Sequence, residues 1–341
     1  MDSKLFCRVC NAPGPSGFEG PVQGIAKEIF STCCDEVTDD RIGNMIGVKK
    51  ATQSKAEKPP RLVLAAHADE VGLMVKFINA KGYIKFIRLG GVNPQVCESQ
   101  RVLIHGSETI RGVIVPKTGG GDKPAKLEDM LIDTGLPAET VREKVSLGDV
   151  ITFENDTSIL NGKMWVGRNF DDRIGTYCLL EAMRKVGDTK LDVYAVSSVQ
   201  EEVGLRGMHA ASRRLDPDIG IAIDGSMTRG AYVDDSDNLC EPGRGVGIYL
   251  RDKLTIGHPP LVRYLFDLAR KNEIPHQLNI GGGTDASAIQ KSGADAMVTT
   301  IGAPTRYMHS TVQLCHADDI DATVDLLVKI MEFAHEMLES K

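Results

Sequence analysis

Residues 62–75 read LVLAAHADEVGLMV, and this stretch decides how the chain is organised. It opens on a run of apolar residues typical of a buried strand, and His67, Asp69 and Glu70 stand at the end of that run. From about residue 72 the sequence changes to short alternating runs separated by glycine, asparagine and aspartate, which predict a small all-β module. The imidazole and carboxylate groups therefore lie at the end of a buried strand, directly before the predicted β module begins.

On either side of the β module, apolar strands alternate with helices. Residues 20–30, GPVQGIAKEIF, carry a helical stripe of apolar side chains, and runs such as LDVYAVSSV and DAMVTTIGA are typical of strands covered on both faces. We therefore predict an α/β fold in which a mixed sheet carries helices on both faces. Residues 1–71 and 165–341 would form this discontinuous main domain, and residues 72–164 would form a small inserted β-rich, barrel-like domain.

Composition limits the partners of the chain. With 341 residues, a net charge of -7 and a pI near 5.7, the protein is not expected to bind nucleic acid or an anionic membrane. No apolar run approaches the roughly 18 to 20 residues that span a bilayer, and no secretory signal is evident, so we predict a cytoplasmic location. The eight cysteines, including the pairs Cys7/Cys10 and Cys33/Cys34, are expected to be free thiols rather than zinc or redox sites.

Several predicted strands end in chemically active side chains. These residues, taken at the strand ends or in the loops that follow, are His67, Asp69, Glu201, Glu202, Asp224 and His309. Because the carboxyl ends of strands in open α/β sheets form the ligand crevice, side chains from separate strands are expected to meet there. Crowded carboxylates would raise each other's pKa, whereas divalent cations make the same cluster favourable. The pattern predicts a metal site, most simply a pair of ions bridged by one carboxylate.

Spacing alone leaves several roles open. The segment NFDDR, residues 169–173, offers a bridging carboxylate, and His316 competes with His309 as a ligand. If the backbone is extended at Glu201 and Glu202, their side chains point oppositely, so one can face a metal while the other acts as a base. Asp69 can orient the imidazole of His67 without binding a metal itself. Asp285 in GGGTDASA is either a helix cap or a site residue, and its three glycines favour an ordinary turn.

Six segments in this order, AAHADEVG, GRNFDDRIG, VQEEVGLRG, AIDGS, GGGTDASA and MHSTVQ, resemble the M42 family of dinuclear metalloaminopeptidases. The early segment APGPSGFEGPV is similar to that family's opening, so the resemblance covers nearly the whole chain. It implies a zinc-exopeptidase-like fold with a cis peptide bond after Asp171. It also implies the following roles: Asp171 bridges two metals, His67 and Asp224 complete one, Glu202 and His309 complete the other, Glu201 is the general base, and Asp69 supports His67.

The resemblance further implies a metal-dependent aminopeptidase, a hydrolase that removes N-terminal residues from peptides with a metal-activated water. Two divalent ions per subunit are expected, most simply zinc or cobalt, with manganese also open because mixed N and O ligands suit all three. Residues 72–164 would be a dimerisation domain, and dimers would assemble into a tetrahedral dodecamer. The sequence does not predict which N-terminal residue of the substrate is preferred. Arg206, Arg229 and Arg306 are candidates to attract an acidic substrate side chain, but none is favoured.

Three other functions are weighed against the aminopeptidase. A deacylase or carboxypeptidase would share the dinuclear centre but accept a substrate with a blocked N-terminus. A glycosidase would use Glu201 with a second acid and should survive chelation. A peptide-binding or assembly protein with an inactive site is disfavoured by the complete set of ligands, although a fold alone does not fix a function.

Overall fold

The computed structural model describes residues 1–54, 56–117, 125–228 and 239–339. The α-helices of this part are α1 Ser3–Asn11, α2 Gly20–Cys33, α3 Ala138–Lys144, α4 Phe170–Lys185, α5 Arg206–Leu215, α6 Pro259–Lys271, α7 Ala286–Gln290, α8 Ala317–Phe333 and α9 Glu336–Glu339. None of these helices is long and apolar enough to cross a membrane. The cytoplasmic location stays a prediction.

The strands fall into three groups. Those of the main sheet are β1 Glu36–Asp39, β2 Met45–Lys49, β3 Arg61–His67, β12 Asp192–Ser198, β13 Ile219–Ile223, β15 Val246–Arg251, β16 His276–Ile280 and β17 Met297–Gly302. Those of a closed barrel are β4 Gly72–Ile78, β5 Ile84–Leu89, β6 Arg101–His105, β7 Thr109–Pro116, β8 Met130–Asp133 and β9 Val150–Phe153. Those of a smaller sheet are β10 Ser158–Asn161, β11 Met164–Gly167, β14 Ser226–Thr228, β18 Pro304–Arg306 and β19 Gln313–His316.

The main sheet is mixed, as the sequence predicts. Its order is β1-β2-β12-β3-β13-β17-β15-β16, and β3 lies near the centre with β12 and β13 parallel to it on either side. Strands β1 and β2 are antiparallel additions at one edge, and β15 is antiparallel to β17 near the other. The parallel centre requires crossover connections, which the helices supply.

Helices cover both faces of the main sheet because β3 alternates its side chains between them. Leu62 and Leu64 belong to the core on one face, which also contains buried residues of α1, α2, α4, α6 and α8. Val63 and Ala65 belong to the core on the other face, with residues of α5 and α7. All four side chains are fully buried, which explains why the strand has no polar residue between Arg61 and His67.

The barrel begins five residues after the end of β3 and has a hydrophobic core of its own. Strands β4 to β9 close in the order β4-β5-β8-β7-β6-β9, and α3 contributes the buried residue Val141 to the core. The next two strands, β10 and β11, belong instead to the smaller sheet, where β11 pairs with β19. The chain therefore leaves the main sheet after His67, forms the barrel, and rejoins the main fold before α4.

Glu70 lies at the junction between sheet and barrel and is almost fully buried. Its Oε2 accepts a hydrogen bond from Arg168 Nε at 2.9 Å, and its Oε1 accepts one from Arg173 Nη2 at 3.1 Å. The amide of Gly14 and the side chain of Asn169 also donate to this carboxylate. Glu70 therefore joins the N-terminal segment to the start of α4, and it lies in a structural network rather than among the metal-ligand candidates.

We expect Glu70→Gln to destabilise the protein strongly, because it would leave two buried guanidinium groups without a charge partner. Breaking a buried ion pair from one side typically costs about 3–5 kcal/mol of unfolding free energy. The measurement is the midpoint of urea unfolding, with Glu28→Gln as a matched control, because Glu28 pairs with Arg8 on the exposed surface. Equal midpoints for the two variants would contradict the role given to Glu70.

Candidate metal centre

The sheet brings the sequence-predicted residues together at one edge. His67 is the last residue of β3, Asp224 directly follows β13, and Glu201 and Glu202 come shortly after β12. These three strands are mutually parallel neighbours, so their carboxyl ends meet. His309 reaches the same place from the loop after β18, with a left-handed φ of 60°.

Asp171 lies between the two histidines. Its Oδ1 is 3.1 Å from His67 Nε2, and its Oδ2 is 3.2 Å from His309 Nε2. Each carboxylate oxygen therefore faces a different imidazole, which is the arrangement that a bridging ligand needs.

Two groups of potential ligand atoms share Asp171. One group contains His67, Asp171 and Asp224, the other contains Asp171, Glu202 and His309, and within each group the ligand atoms lie within 4.8 Å of one another. Glu202 Oε2 is 3.3 Å from His309 Nε2, whereas Glu202 Oε1 is buried without a hydrogen-bond partner among the described residues. An orphaned buried carboxylate oxygen among N and O donors fits a divalent cation of the zinc, cobalt or manganese type.

The electrostatics of the centre also fit cations. Burial raises the pKa of Asp224 well above its usual range, and the nearby carboxylates of Asp172 and Asp171 raise it further. Hydrogen bonding to Asp171 and Glu202 raises the pKa of His309 to about 11. The cluster thus holds more buried negative charge than its histidines balance, and divalent ions would relieve that cost.

Asp171 and Asp172 have separate tasks. The peptide bond between them is cis, as the resemblance implies. Asp172 belongs to neither ligand group, and its carboxylate accepts hydrogen bonds from the backbone amides of Gly175 at 3.0 Å and His67 at 3.2 Å. Of the two aspartates that the sequence offered, Asp171 therefore faces the centre, and Asp172 fixes the backbone at the end of β3.

Asp69 is fully buried and does more than the sequence predicted. His67 Nδ1 lies 3.1 Å from the backbone oxygen of Asp69 and 3.4 Å from its carboxylate, so the backbone makes the closer contact. The carboxylate accepts hydrogen bonds from the amides of Glu201 and Glu202, at 2.9 and 3.2 Å. The hydroxyl of Ser16 donates to it at 2.6 Å. Asp69 therefore positions the two glutamates as well as His67.

The segment of Glu201 and Glu202 forms a turn rather than the extended backbone assumed from the sequence, with a left-handed φ of 56° at Gln200. Both side chains consequently line the same cavity. Glu202 points to His309, while Glu201 Oε2 lies 3.9 Å from His67 Nε2 and belongs to neither ligand group. Burial raises the pKa of Glu201 well above its usual range. The charge of His67 lowers this pKa, whereas the carboxylates of Asp285 and Asp224 raise it further.

The structure also places the residues that spacing left ambiguous. His316 is the last residue of β19 and the N-cap of α8; its Nδ1 accepts a hydrogen bond from the amide of Asp318, and it belongs to neither ligand group. Asp285 makes no side-chain cap to α7; its carboxylate accepts a hydrogen bond from the hydroxyl of Ser198 instead. Burial raises the pKa of Asp285 to about 6. All eight cysteines lie in the described part of the chain as free thiols.

A cavity of about 680 Å³ opens beside the centre. Asp171, Glu201, Glu202, Asp224 and His309 line one side of it. The rest of its wall consists of Gly225, Met227, Tyr249, Arg251, Asp252, Lys253, Ile280, Gly281, Gly282, Gly283, Thr284 and Met308. The cavity is large enough to hold an aminoacyl group beside the histidines and carboxylates.

A family model described as M42 glutamyl aminopeptidase matches residues 43–326. The chain belongs to the M42 peptidase family. A lysyl aminopeptidase from Pyrococcus furiosus is 30% identical over 347 residues, which cover 97% of this chain and 97% of that relative. As an M42 member the protein is a peptidase, and therefore a hydrolase.

Solved structures of M42-like aminopeptidases have the same fold. A TET aminopeptidase from a marine sediment archaeon of the Thaumarchaeota superposes with a TM-score of 0.92 at 32% identity, covering 97% of this chain and 96% of that one. The TET1 peptidase of Pyrococcus horikoshii, described as assembling into a tetrahedron or a large octahedral shell, gives a TM-score of 0.87 at 27% identity, with 97% and 99% covered. The resemblance drawn from the six sequence segments is thereby confirmed.

Proposed function

We propose that this M42 peptidase is a dinuclear metalloaminopeptidase that hydrolyses the first peptide bond of a substrate with a free N-terminus. The observation that carries the proposal is the position of Asp171, whose two carboxylate oxygens face two different histidines. His67, Asp171 and Asp224 would hold one ion, and Asp171, Glu202 and His309 would hold the other. When bound, the two ions lower the pKa of a water molecule toward about 7 and polarise the scissile carbonyl.

Glu201 is the general base of this proposal. Its carboxylate lies next to the His67–Asp171 pair without belonging to either ligand group, and its raised pKa suits a group that takes and returns a proton near neutral pH. It would accept a proton from the attacking water and donate one to the leaving amine. Asp69 supports this role because it holds the Glu201 amide in place.

The carboxylates on one side of the cavity also suit an exopeptidase. The free α-amine of a peptide would dock against a metal ion and the carboxylate that the ions leave uncommitted, whereas a blocked N-terminus would lose this contact. The reacting carbonyl lies two bonds from that nitrogen, so docking the amine there places the first peptide bond beside Glu201.

We further propose that the barrel is a dimerisation domain in a homo-oligomer. Phe77 and Ile87 are 51% and 41% exposed on neighbouring barrel strands and line an open, mainly apolar depression. Its other lining residues are Phe86, Leu127, Met130 and the charged Lys76, Lys85, Arg88 and Glu128. Apolar surface of this kind is typical of protein contacts. A structure of the Pyrococcus horikoshii TET1 relative is described as a dodecamer, and the protein is also described as assembling into a tetrahedron or a large octahedral shell; of these forms we propose the tetrahedral dodecamer for this chain.

The proposal is tested with aminoacyl p-nitroanilides, assayed on protein stripped of metal with a chelator and again after adding zinc, cobalt or manganese. Activity should vanish on stripping and return with at least one metal, because the centre cannot activate water without ions. N-acetylated substrates should be inert. Turnover of the p-nitroanilides that survives chelation would contradict the metal-dependent mechanism, and equal turnover of blocked substrates favours a deacylase.

A further inference from the structure

The turn after β12 is held by side chains from other parts of the chain. The backbone N–H groups of residues 199–202 all donate to side-chain oxygens. Asn44 accepts from the first of them at 3.0 Å, Glu19 from the second at 3.1 Å, and Asp69 from the third and fourth at 2.9 and 3.2 Å. Because amides that are removed from water need an acceptor, these three side chains determine the path of the backbone that carries the proposed general base.

Glu19 is the acceptor whose place in the sequence predicts a different partner. It is the N-cap residue of α2, where a side-chain oxygen usually accepts a hydrogen bond from the first turn of the helix itself. Glu19 makes no such bond, and only 5% of it is exposed. Its Oε1 accepts instead from the amide of Gly17 at 2.7 Å and from that of Gln200, 181 residues further along the chain, at 3.1 Å. The side chain is thus committed to the turn after β12 and not to the helix that it precedes.

The residue that Glu19 holds has an unfavourable backbone conformation. Gln200 has a left-handed φ of 56°, which residues other than glycine rarely adopt and which persists only where the surroundings fix it. Its amide is fixed by Glu19, and its carbonyl oxygen accepts a hydrogen bond from the amide of Arg206 at 3.2 Å. Because Gln200 directly precedes Glu201, its backbone angles set the direction from which the carboxylate of Glu201 reaches the centre.

Glu19 belongs to the early segment APGPSGFEGPV, residues 12–22, which supplies a second contact to the same turn. The hydroxyl of Ser16 donates to Asp69 Oδ2 at 2.6 Å, and that oxygen also accepts from the amide of Glu202. Neither Ser16 nor Glu19 lines the cavity or belongs to a ligand group. The segment therefore acts on the centre through the backbone of the turn and not through contact with substrate or metal.

We propose that Glu19 is a positioning residue: its Oε1 fixes the amide of Gln200 and thereby aims Glu201 at the water that is to be deprotonated. This inference rests on the proposed function, in which Glu201 is the general base. Misplacing a catalytic group by about 1 Å can lower turnover about a hundredfold, so a hydrogen bond to the preceding residue is enough to affect kcat. In this role the place of the acceptor oxygen matters, and its negative charge does not.

Sequence reasoning did not single out Glu19, because its role depends on a partner in a distant turn. Of the arginines that the sequence offered for substrate preference, Arg206 begins α5, and its Nη1 donates to Gln200 Oε1 at 3.4 Å. Neither Arg206 nor Arg306 lines the cavity, and Arg229 lies outside the described residues.

The test separates the place of the acceptor from its charge, with aminoacyl p-nitroanilides as substrates. Glu19→Gln keeps an acceptor oxygen at the same reach and removes the charge, so kcat should stay within about threefold of wild type. Glu19→Asp keeps the charge but withdraws the carboxylate by one carbon–carbon bond, about 1.5 Å, so kcat should fall about tenfold to a hundredfold. KM should change less than about threefold in both variants, because Glu19 does not line the cavity.

The matched controls are Glu28→Gln and Glu28→Asp, which make the same two changes on the exposed face of α2. They should leave kcat and KM unaltered. The metal content of every preparation, measured by mass spectrometry, should equal that of the wild type, since Glu19 belongs to neither ligand group. A defect in kcat alone, rescued by Glu19→Gln, is what a general loss of structure would not produce.

The positioning role is overturned if Glu19→Asp keeps the wild-type kcat, or if Glu19→Gln loses as much turnover as Glu19→Asp. A defect confined to Glu19→Gln would assign the effect to the charge and overturn it as well. So would a loss of metal, or a rise in KM, that accounts for the whole effect. A wild type without metal-dependent turnover refutes the proposed function itself, whereas a metal-dependent wild type with a fully active Glu19→Asp variant refutes only the role of Glu19.

Discussion

Glu201→Gln should lower the kcat of aminoacyl p-nitroanilide hydrolysis by about 10²–10⁴-fold, the usual contribution of a positioned general base. The amide keeps the shape of the side chain and can hydrogen-bond to water, but it cannot take a proton from it. Because Glu201 belongs to neither ligand group, both ions should stay bound. The measurements are steady-state kinetics and the metal content of the same preparation by mass spectrometry.

The matched control is Glu143→Gln, which makes the same chemical change on an exposed position of α3 in the barrel. It should leave kcat unaltered. A Glu201→Gln variant that keeps more than half of the wild-type kcat would remove Glu201 from the role of base. A variant that loses its metal as well as its turnover would show instead that Glu201 is a ligand.

His309→Ala should remove one of the two ions and lower turnover about a thousandfold, since a metal that polarises the carbonyl contributes several kcal/mol to the barrier. His316→Ala is the internal comparison, because both histidines lie in the same short region and spacing alone could not separate them. His316 caps α8, so its loss should cost about 0.5–2 kcal/mol of stability and leave metal content and turnover near wild type. Metal analysis and kinetics on the two variants decide the matter.

The reverse pattern, with metal lost from His316→Ala and kept in His309→Ala, would overturn the assignment of His309. Equal metal content in both variants and the wild type would show that His309 is not needed to hold an ion.

Much of the fold could be predicted because buried strands can be recognised from their apolar or alternating sequence patterns. The apolar run before His67 reflects a central strand covered on both faces, and the alternating runs after residue 72 reflect a barrel with one buried face. The convergence of His67, Asp224 and the two glutamates also follows from the sequence, since parallel strands end at one edge of a sheet.

The remainder depends on contacts that no local pattern records. Glu70 and Asp69 are neighbours, yet one binds two arginines at the barrel junction, and the other holds the backbone of Glu201 and Glu202. Both roles depend on partners about 100 or more residues away in the chain. The choice of His309 over His316 came from the family resemblance.

The proposed ligands are spread along the polypeptide from residue 67 to residue 309, with the whole barrel inserted between the first and the second. During translation, a ribosome that has not yet reached residue 309 therefore carries a nascent chain without a complete centre, even if its earlier segments have begun to fold. If these residues are the ligands, synthesis must pass residue 309 before the proposed hydrolysis can begin.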